Sequence, residues 1–378
     1  MATVQHIADS ALERGTPGVV AAIVRGDEHD VAVAGSRAVD GEPMTRDTVF
    51  RLASLTKPIV GAAAMRLVEM GAIAPTDPVG RWLPELDGVR VLRTQGSTLD
   101  DSVPLARAIT VEHVLTCTAG VGFVGDLGAP IVAAQGTVLG QGPDPRAKPA
   151  ADEWMRRLAT LPLAHQPGEG WTYDAGMDLL GILLARAARA DLADLVAALV
   201  LEPLGMRDTG FRLRADQVPR TATSYRLLDG AAVVVETPER LHAAPPAFDS
   251  AAGGLVSTLD DQLAFWRMLR DRGRAADGSQ VLAETSVATM RSPHAAAEPG
   301  NVFLADQAWG VGGGVDVAVR EPWTAPGRYG WVGGTGTAAS VLPCGTIGVW
   351  LTQRELSGPD DADGIAALLT EAARRDRG

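Results

Sequence analysis

The chain has 378 residues, enough for two domains or for one large domain with an insertion. Hydrophobic residues make up 46% and charged residues 21%, which excludes a disordered or fibrous chain. Lys and Arg number 34 against 46 Asp and Glu, and the net charge of −12 repels phosphate backbones and anionic membrane surfaces, so neither nucleic acid nor membrane is an expected partner.

Val4 to Leu12 places apolar side chains at helical spacing, and the stretch from Gly15 to Gly18 ends the pattern. Gly18 to Val24 and His29 to Ala34 are short Val-rich runs on either side of Arg25-Gly26-Asp27-Glu28, the pattern of a β-hairpin. From Leu55 to Met70 the pattern is helical, and Gly71 sits where a glycine would stop it. Residues 56 to 300 are mostly an Ala-, Leu- and Arg-rich helical pattern broken by Pro/Gly loops; Ala151 to Leu161, Met177 to Ala188 and Asp260 to Arg270 are examples. Gly128 to Pro149 reads as a loop too long for a plain connector, as a segment lining a site would be. Strands return at Trp309 to Val317, Thr337 to Leu342 and Thr346 to Thr352, and Asp361 to Arg375 closes as a helix.

Strand patterns at both ends, with helices between, predict an α/β (α+β) chain whose sheet is assembled from both termini. The boundaries expected are 1–56 with 300–378 for the sheet unit and 57–299 for a mostly helical insertion, with the active site between them. The opening residues are charged and lack a continuous apolar stretch, and no apolar run approaches the ~20 residues that span a bilayer, so a cytoplasmic protein is expected.

Several residue types are placed too sparsely for their usual chemistry. Cys117 and Cys344 cannot build a disulfide framework, and Cys117 has no helix terminus or base beside it in sequence to make it a nucleophile. The histidines at 6, 29, 113, 165, 242 and 294 show no metal-ligand spacing, so no metal is expected. The glycines at 310–314 and 333–336 do not match a dinucleotide fingerprint, and no cofactor is expected. Asp260-Asp261 reads as an acidic pair at a helix N-terminus.

Only two basic residues are lysines, Lys57 and Lys148. Lys57 closes Ser54-Leu55-Thr56-Lys57, an S-x-x-K whose i, i+3 spacing puts the amine beside the hydroxyl on one helix face. Pro58 follows, and proline is tolerated only in a first turn, so the helix must begin close to Ser54. A serine hydroxyl needs a neighbouring base, and a lysine whose pKa is lowered by burial can serve where arginine cannot. The same residues also suit a serine cap followed by a solvated lysine. Tyr173, in Trp171-Thr172-Tyr173-Asp174-Ala175-Gly176-Met177-Asp178, can pass a proton if it lies beside that pair, or can simply pack at a helix start. The glycines of Gly330-Trp331-Val332-Gly333-Gly334-Thr335-Gly336 permit close approach of a substrate and expose an N–H to an oxyanion, or form a plain hairpin.

In this order, the three elements resemble the serine β-lactamase and penicillin-binding-protein superfamily, in its class C-like branch with DD-peptidases, family VIII carboxylesterases and related acyltransferases. Ile109 to Thr116, Pro203-Leu204-Gly205-Met206-Arg207-Asp208-Thr209 and Gly253-Gly254-Leu255-Val256-Ser257-Thr258 resemble accessory stretches of that superfamily, so the resemblance spans nearly the whole chain. It implies an antiparallel sheet flanked by helices, with a helical domain alongside. It also implies Ser54 as acylated nucleophile, Lys57 as base, Tyr173 as proton relay, and the N–H groups of Ser54 and Gly334 as oxyanion hole. Trp331 and Gly333 fall on the third motif that faces substrate, and Phe123 is placed as an aromatic wall.

The chain departs from the pattern at Ala175, where an asparagine is usual, at Cys117-Thr118-Ala119-Gly120, where H-T-S-G is usual, and at Trp331, where lysine or histidine is usual outside the esterases. The function expected is hydrolysis of a small carboxylic ester through an acyl-serine, with a small-molecule acyl substrate and a neutral or aromatic ester preferred over a β-lactam. An acyltransferase of a biosynthetic pathway, an amide or β-lactam hydrolase, and an inactive binding protein of the same fold are the alternatives.

Overall fold

The computed structural model describes residues 3–142, 144–228, 230–296, 298, 301–304, 307–357 and 359–377. An eight-stranded sheet is its frame, antiparallel throughout. Across the sheet the strands run Glu28–Gly35, Gly18–Arg25, Ile347–Leu351, Thr337–Val341, Tyr329–Gly333, Gly314–Asp316, Gln307–Trp309 and Ala295–Ala296. The N-terminal hairpin therefore docks on the last strand of the chain, with Val20 opposite Leu351 and Ile23 opposite Gly348. The two ends of the sequence make one sheet, as the strand pattern predicts.

Alternation along a strand sends neighbouring side chains to opposite faces. Val19, Ala21, Ile23 and Trp350 meet the outer helices Val4–Glu13 and Asp363–Arg377 through Ile7, Leu368 and Leu369. Val20, Ala22, Val24, Val349 and Leu351 face the larger core, and the helix Leu259–Arg270 packs beneath them. Both faces are covered, which is why Gly18 to Val24 is an unbroken apolar run. Thr56–Glu69 is a core helix, buried on nearly every side from Thr56 to Met65. Its charged exception is Lys57, which has no exposed surface.

Two predicted elements differ. The stretch Trp309 to Val317 is two strands, Gln307–Trp309 and Gly314–Asp316, paired across a tight turn. The turn exists because Gly312 adopts φ +78°, and a Cβ there would lie 2.4 Å from the carbonyl oxygen of Lys57. The long loop from Gly128 to Pro149 contains the helix Pro130–Leu139, which starts at a proline and is followed by Gly140 at φ +65°. That pairing of proline and glycine was the signal in the sequence. Among the described residues, no helix is long and apolar enough to cross a membrane.

Gly312→Ala is expected to lower stability by about 1–3 kcal/mol, since it adds both backbone strain and a clash with the core helix. A urea midpoint unchanged from wild type would show that the turn tolerates a side chain.

Candidate active site

Ser54 sits on a turn fixed from three sides. The short strand Phe50–Arg51 pairs with Val256–Ser257, and the Leu52 amide donates to Leu255 O at 2.8 Å. From the sheet, Thr337 Oγ1 donates to Leu52 O at 2.8 Å and Thr335 Oγ1 to Arg51 O at 2.7 Å. Ala53 then takes φ +45°, unusual for a non-glycine residue, and a single 3-10 turn at Ala53–Leu55 runs into the core helix. Pro58 lies in that helix's first turn.

Lys57 Nζ donates to three oxygens: Ser54 Oγ at 2.8 Å, Asp174 Oδ1 at 2.9 Å and Ala252 O at 2.7 Å. Tyr173 Oη donates to Ser54 Oγ at 2.8 Å and receives the Trp331 indole N–H, also at 2.8 Å. Lys57 Nζ lies 4.6 Å from the centre of the Tyr173 ring. Burial pushes the Lys57 pKa down, as expected from sequence. Tyr173 and Asp174, with Asp178 behind them, outweigh burial and hold it above the usual lysine range.

Tyr173 is held by a two-way backbone bridge to Phe123, N to O at 2.8 Å in each direction. Phe123 belongs to the loop that follows Cys117, whose backbone also takes a positive φ and whose carbonyl accepts from the Thr172 amide at 3.0 Å. Burial pushes the Cys117 thiol up to about 12, so this cysteine stays protonated. On the sheet side, a Cβ on Gly333 would lie 2.3 Å from Leu52 O, so only glycine lets this strand reach the turn that carries Ser54. Gly334 follows, and a Cβ there would meet nothing within 4 Å.

The structure thus gathers Ser54, Lys57, Tyr173, Trp331, Gly333 and Phe123 around one point. It adds residues not singled out from sequence. Phe303 stacks on Tyr173 with ring centres 4.5 Å apart and on Phe123 at 6.2 Å, and Trp309 meets Trp331 edge-on at 4.7 Å. Asp174 follows Tyr173 directly, but nothing local in the sequence tells which way its carboxylate points.

The second lysine lies behind the first. Lys148 Nζ donates to Asp178 Oδ2 at 2.5 Å and to Ser250 Oγ at 3.0 Å, and Asp178 Oδ1 accepts from Ser250 Oγ at 2.7 Å and the Ala252 amide at 3.1 Å. This pair fixes Ala252, whose carbonyl takes a Lys57 hydrogen. The accessory stretch that ends at Asp208-Thr209 is clamped to the helix Leu259–Arg270: Asp261 accepts from the Asp208 amide and from Thr209 Oγ1, each at 2.8 Å. Among the described residues, no group of three His, Cys, Asp or Glu side chains is arranged to hold a metal ion.

The model of the family described as Beta-lactamase matches residues 2–373. The chain belongs to the beta-lactamase family. The chain is 42% identical over 316 residues to Protein Rv1367c of Mycobacterium tuberculosis, covering 80% of this chain and 77% of that one. It is 37% identical over 295 residues to Esterase EstB of Burkholderia gladioli, covering 71% and 70%. Among solved structures, EstCE1, a hydrolase with promiscuous acyltransferase activity, superposes with a TM-score of 0.78 at 25% identity over 98% of this chain and 97% of that one. This beta-lactamase-family chain holds the Ser54 hydroxyl, the Lys57 amine and the Tyr173 phenol in contact, with an indole at Trp331 beside them.

Lys148→Met leaves Asp178 buried without its cation. The expected cost is about 3–5 kcal/mol, read from the urea midpoint. A loss below about 0.5 kcal/mol would place Lys148 outside the set of groups that hold the site together.

Proposed function

We propose that the chain hydrolyses small, uncharged carboxylic esters through an acyl-Ser54 intermediate. Its family and its likeness to an esterase make it an enzyme of the serine hydrolase or acyltransferase kind. The observation that carries the reading is the pair of hydrogen bonds converging on Ser54 Oγ, one from Lys57 and one from Tyr173. In this mechanism Ser54 Oγ attacks the ester carbonyl as its proton passes into the Lys57–Tyr173 pair. The oxyanion forms between the N–H groups of Ser54 and Gly334. Tyr173 returns a proton to the departing alcohol, and water then repeats the sequence on the acyl-enzyme.

The choice of ester rests on Trp331. Its one N–H is already given to Tyr173, so toward substrate it offers a ring face and no donor. With Phe303 and Phe123 it makes an aromatic wall suited to an acyl chain or aryl group. A charge-assisted hydrogen bond contributes about 1.5–3 kcal/mol, so a substrate carboxylate left without one binds roughly 10–150-fold more weakly. Transfer of the acyl group to an alcohol in place of water is the second reading, and it is favoured by the likeness to EstCE1 over nearly the whole chain.

Ser54→Ala is expected to abolish turnover and labelling by a fluorophosphonate probe while leaving the circular dichroism spectrum unchanged. Equal labelling of variant and wild type would move the nucleophile elsewhere. Tyr173→Phe should lower kcat/KM by at least ~10²-fold.

Short-chain p-nitrophenyl esters should be cleaved with higher kcat/KM than cephalosporins, and Trp331→Lys should narrow that ratio. A ratio unmoved in a folded variant would show that position 331 does not set the preference.

A further inference from the structure

We propose that Phe303 is a specificity-determining residue, and that with Phe123 it selects esters whose alcohol half carries a flat apolar ring. This rests on the acyl-serine reading above and names the class of ester within it.

Aromatic residues are scarce, 4% of the chain, yet among the described residues six of them form one continuous set of ring contacts at the site. Trp171, Trp309 and Trp331 are buried. Phe123, Tyr173 and Phe303 are half-buried and keep part of their rings open. Phe303 stacks on Tyr173 with ring centres 4.5 Å and planes 27° apart, and on Phe123 at 6.2 Å and 18°. An incoming ring gains an offset or edge-on contact with such a set beyond the area it buries, whereas an alkyl chain gains the area alone.

The loop that carries Phe303 is fixed in place. Asn301 is buried, and its Oδ1 accepts from the Phe303 amide at 3.0 Å and the Leu304 amide at 3.2 Å. Its Nδ2 lies against the loop of Phe123, where a Cβ on Gly125 would be 3.2 Å away. Phe123 is in turn bridged to the Tyr173 backbone. Two loops far apart in sequence therefore hold their rings in register before substrate arrives, which spares the cost of ordering them. The same loops leave apolar side chains in solvent: Val302 is 63% exposed and Leu127 is 52% exposed.

The leaving oxygen decides which half of the ester meets these rings. It takes its proton from Tyr173 Oη, so it must come within ~3 Å of that atom. The carbonyl oxygen is turned the other way, toward the N–H groups of Ser54 and Gly334. The carbon bonded to the leaving oxygen then lies beside Tyr173, and a ring on that carbon reaches Phe303, which is stacked there. The acyl chain takes the remaining corner of the tetrahedral carbon.

Benzyl acetate and n-butyl acetate share an acyl group, and their alcohols are of similar hydrophobicity and leave with similar ease. Their ratio of kcat/KM therefore reads the ring. Wild type should favour benzyl acetate. Phe303→Leu keeps much of the apolar volume and removes the ring; it should lower the benzyl-to-butyl ratio about 2–12-fold, the range of one aromatic contact, with n-butyl acetate little affected. Phe303→Tyr should retain the wild-type ratio. Methyl phenylacetate and methyl pentanoate place the same two groups on the acyl half, and their ratio should not move in Phe303→Leu.

A wild-type enzyme with no preference for benzyl over n-butyl acetate would overturn the proposal, whether or not a variant folds. So would a folded Phe303→Leu variant that slows both acetates equally, as lost support for Tyr173 alone would do. A variant that moves the phenylacetate ratio and leaves the benzyl ratio would overturn it as well, by placing the ring on the acyl half. If wild-type Ser54 resists the fluorophosphonate probe, the acyl-serine reading fails and takes this assignment with it, by a measurement in which Phe303 has no part.

Discussion

An ammonium with no solvent around it must find three acceptors, and Lys57 finds them in three separate stretches of chain. Ser54 comes from its own helix start, Asp174 from the strained turn after Tyr173, and Ala252 from the loop before the Val256–Ser257 strand. A buried cation without these partners would cost several kcal/mol, so the three stretches are held to one point by the same charge that equips the site. The dependence extends one step outward. Ala252 is set by Asp178, and Asp178 is held by Lys148, so both lysines of the chain serve one connected network.

The turn that carries Ser54 depends on backbone meeting backbone. Gly312 closes on the carbonyl of Lys57, and Gly333 closes on the carbonyl of Leu52. Two threonine hydroxyls fasten the same sheet to Arg51 and Leu52. Contacts of this kind leave little room for adjustment, which fixes the distance from Ser54 to the glycine strand before any substrate arrives. Preorganisation of that order is what an oxyanion site requires, because donors that must move at the moment of reaction lose their advantage.

Much of this was legible in the sequence. The hairpin declared itself through two Val-rich runs around Arg25 to Glu28, and the core helix through its spacing and the glycine that ends it. The contact between Ser54 and Lys57 followed from i, i+3 geometry alone. What stayed hidden depends on distant partners or on rare backbone states. The glycines at 310–314 looked like part of a strand because their turn is dictated by the helix beneath it. Asp174 turns inward through a positive φ that no local pattern announces. Phe303 and Trp309 reach Tyr173 only through the sheet and the loop beside it. The Lys57 environment was misjudged for the same reason: burial is visible in an apolar helix, but a carboxylate that arrives from 117 positions away is not.

Two departures from the superfamily pattern, far apart in sequence, bear on how the site meets a charged substrate. An indole at Trp331 replaces a position where a lysine is common, which removes a cation. Asp174 beside Ala175 puts a carboxylate against Lys57, so the charge of that amine is already answered inside the site. At separations of 4–8 Å and an effective dielectric near 20, each unit charge acts on an incoming carboxylate by about 2–4 kcal/mol. On the proposed reading, neither departure leaves an unpaired cation for an anionic substrate, and neither burdens an uncharged ester. The indole N–H is not wasted in the exchange, since it serves the oxygen of Tyr173. On the proposed reading, the site offers a substrate's charge little to grip, and it holds the Lys57 amine and the Tyr173 phenol within hydrogen-bond reach of Ser54.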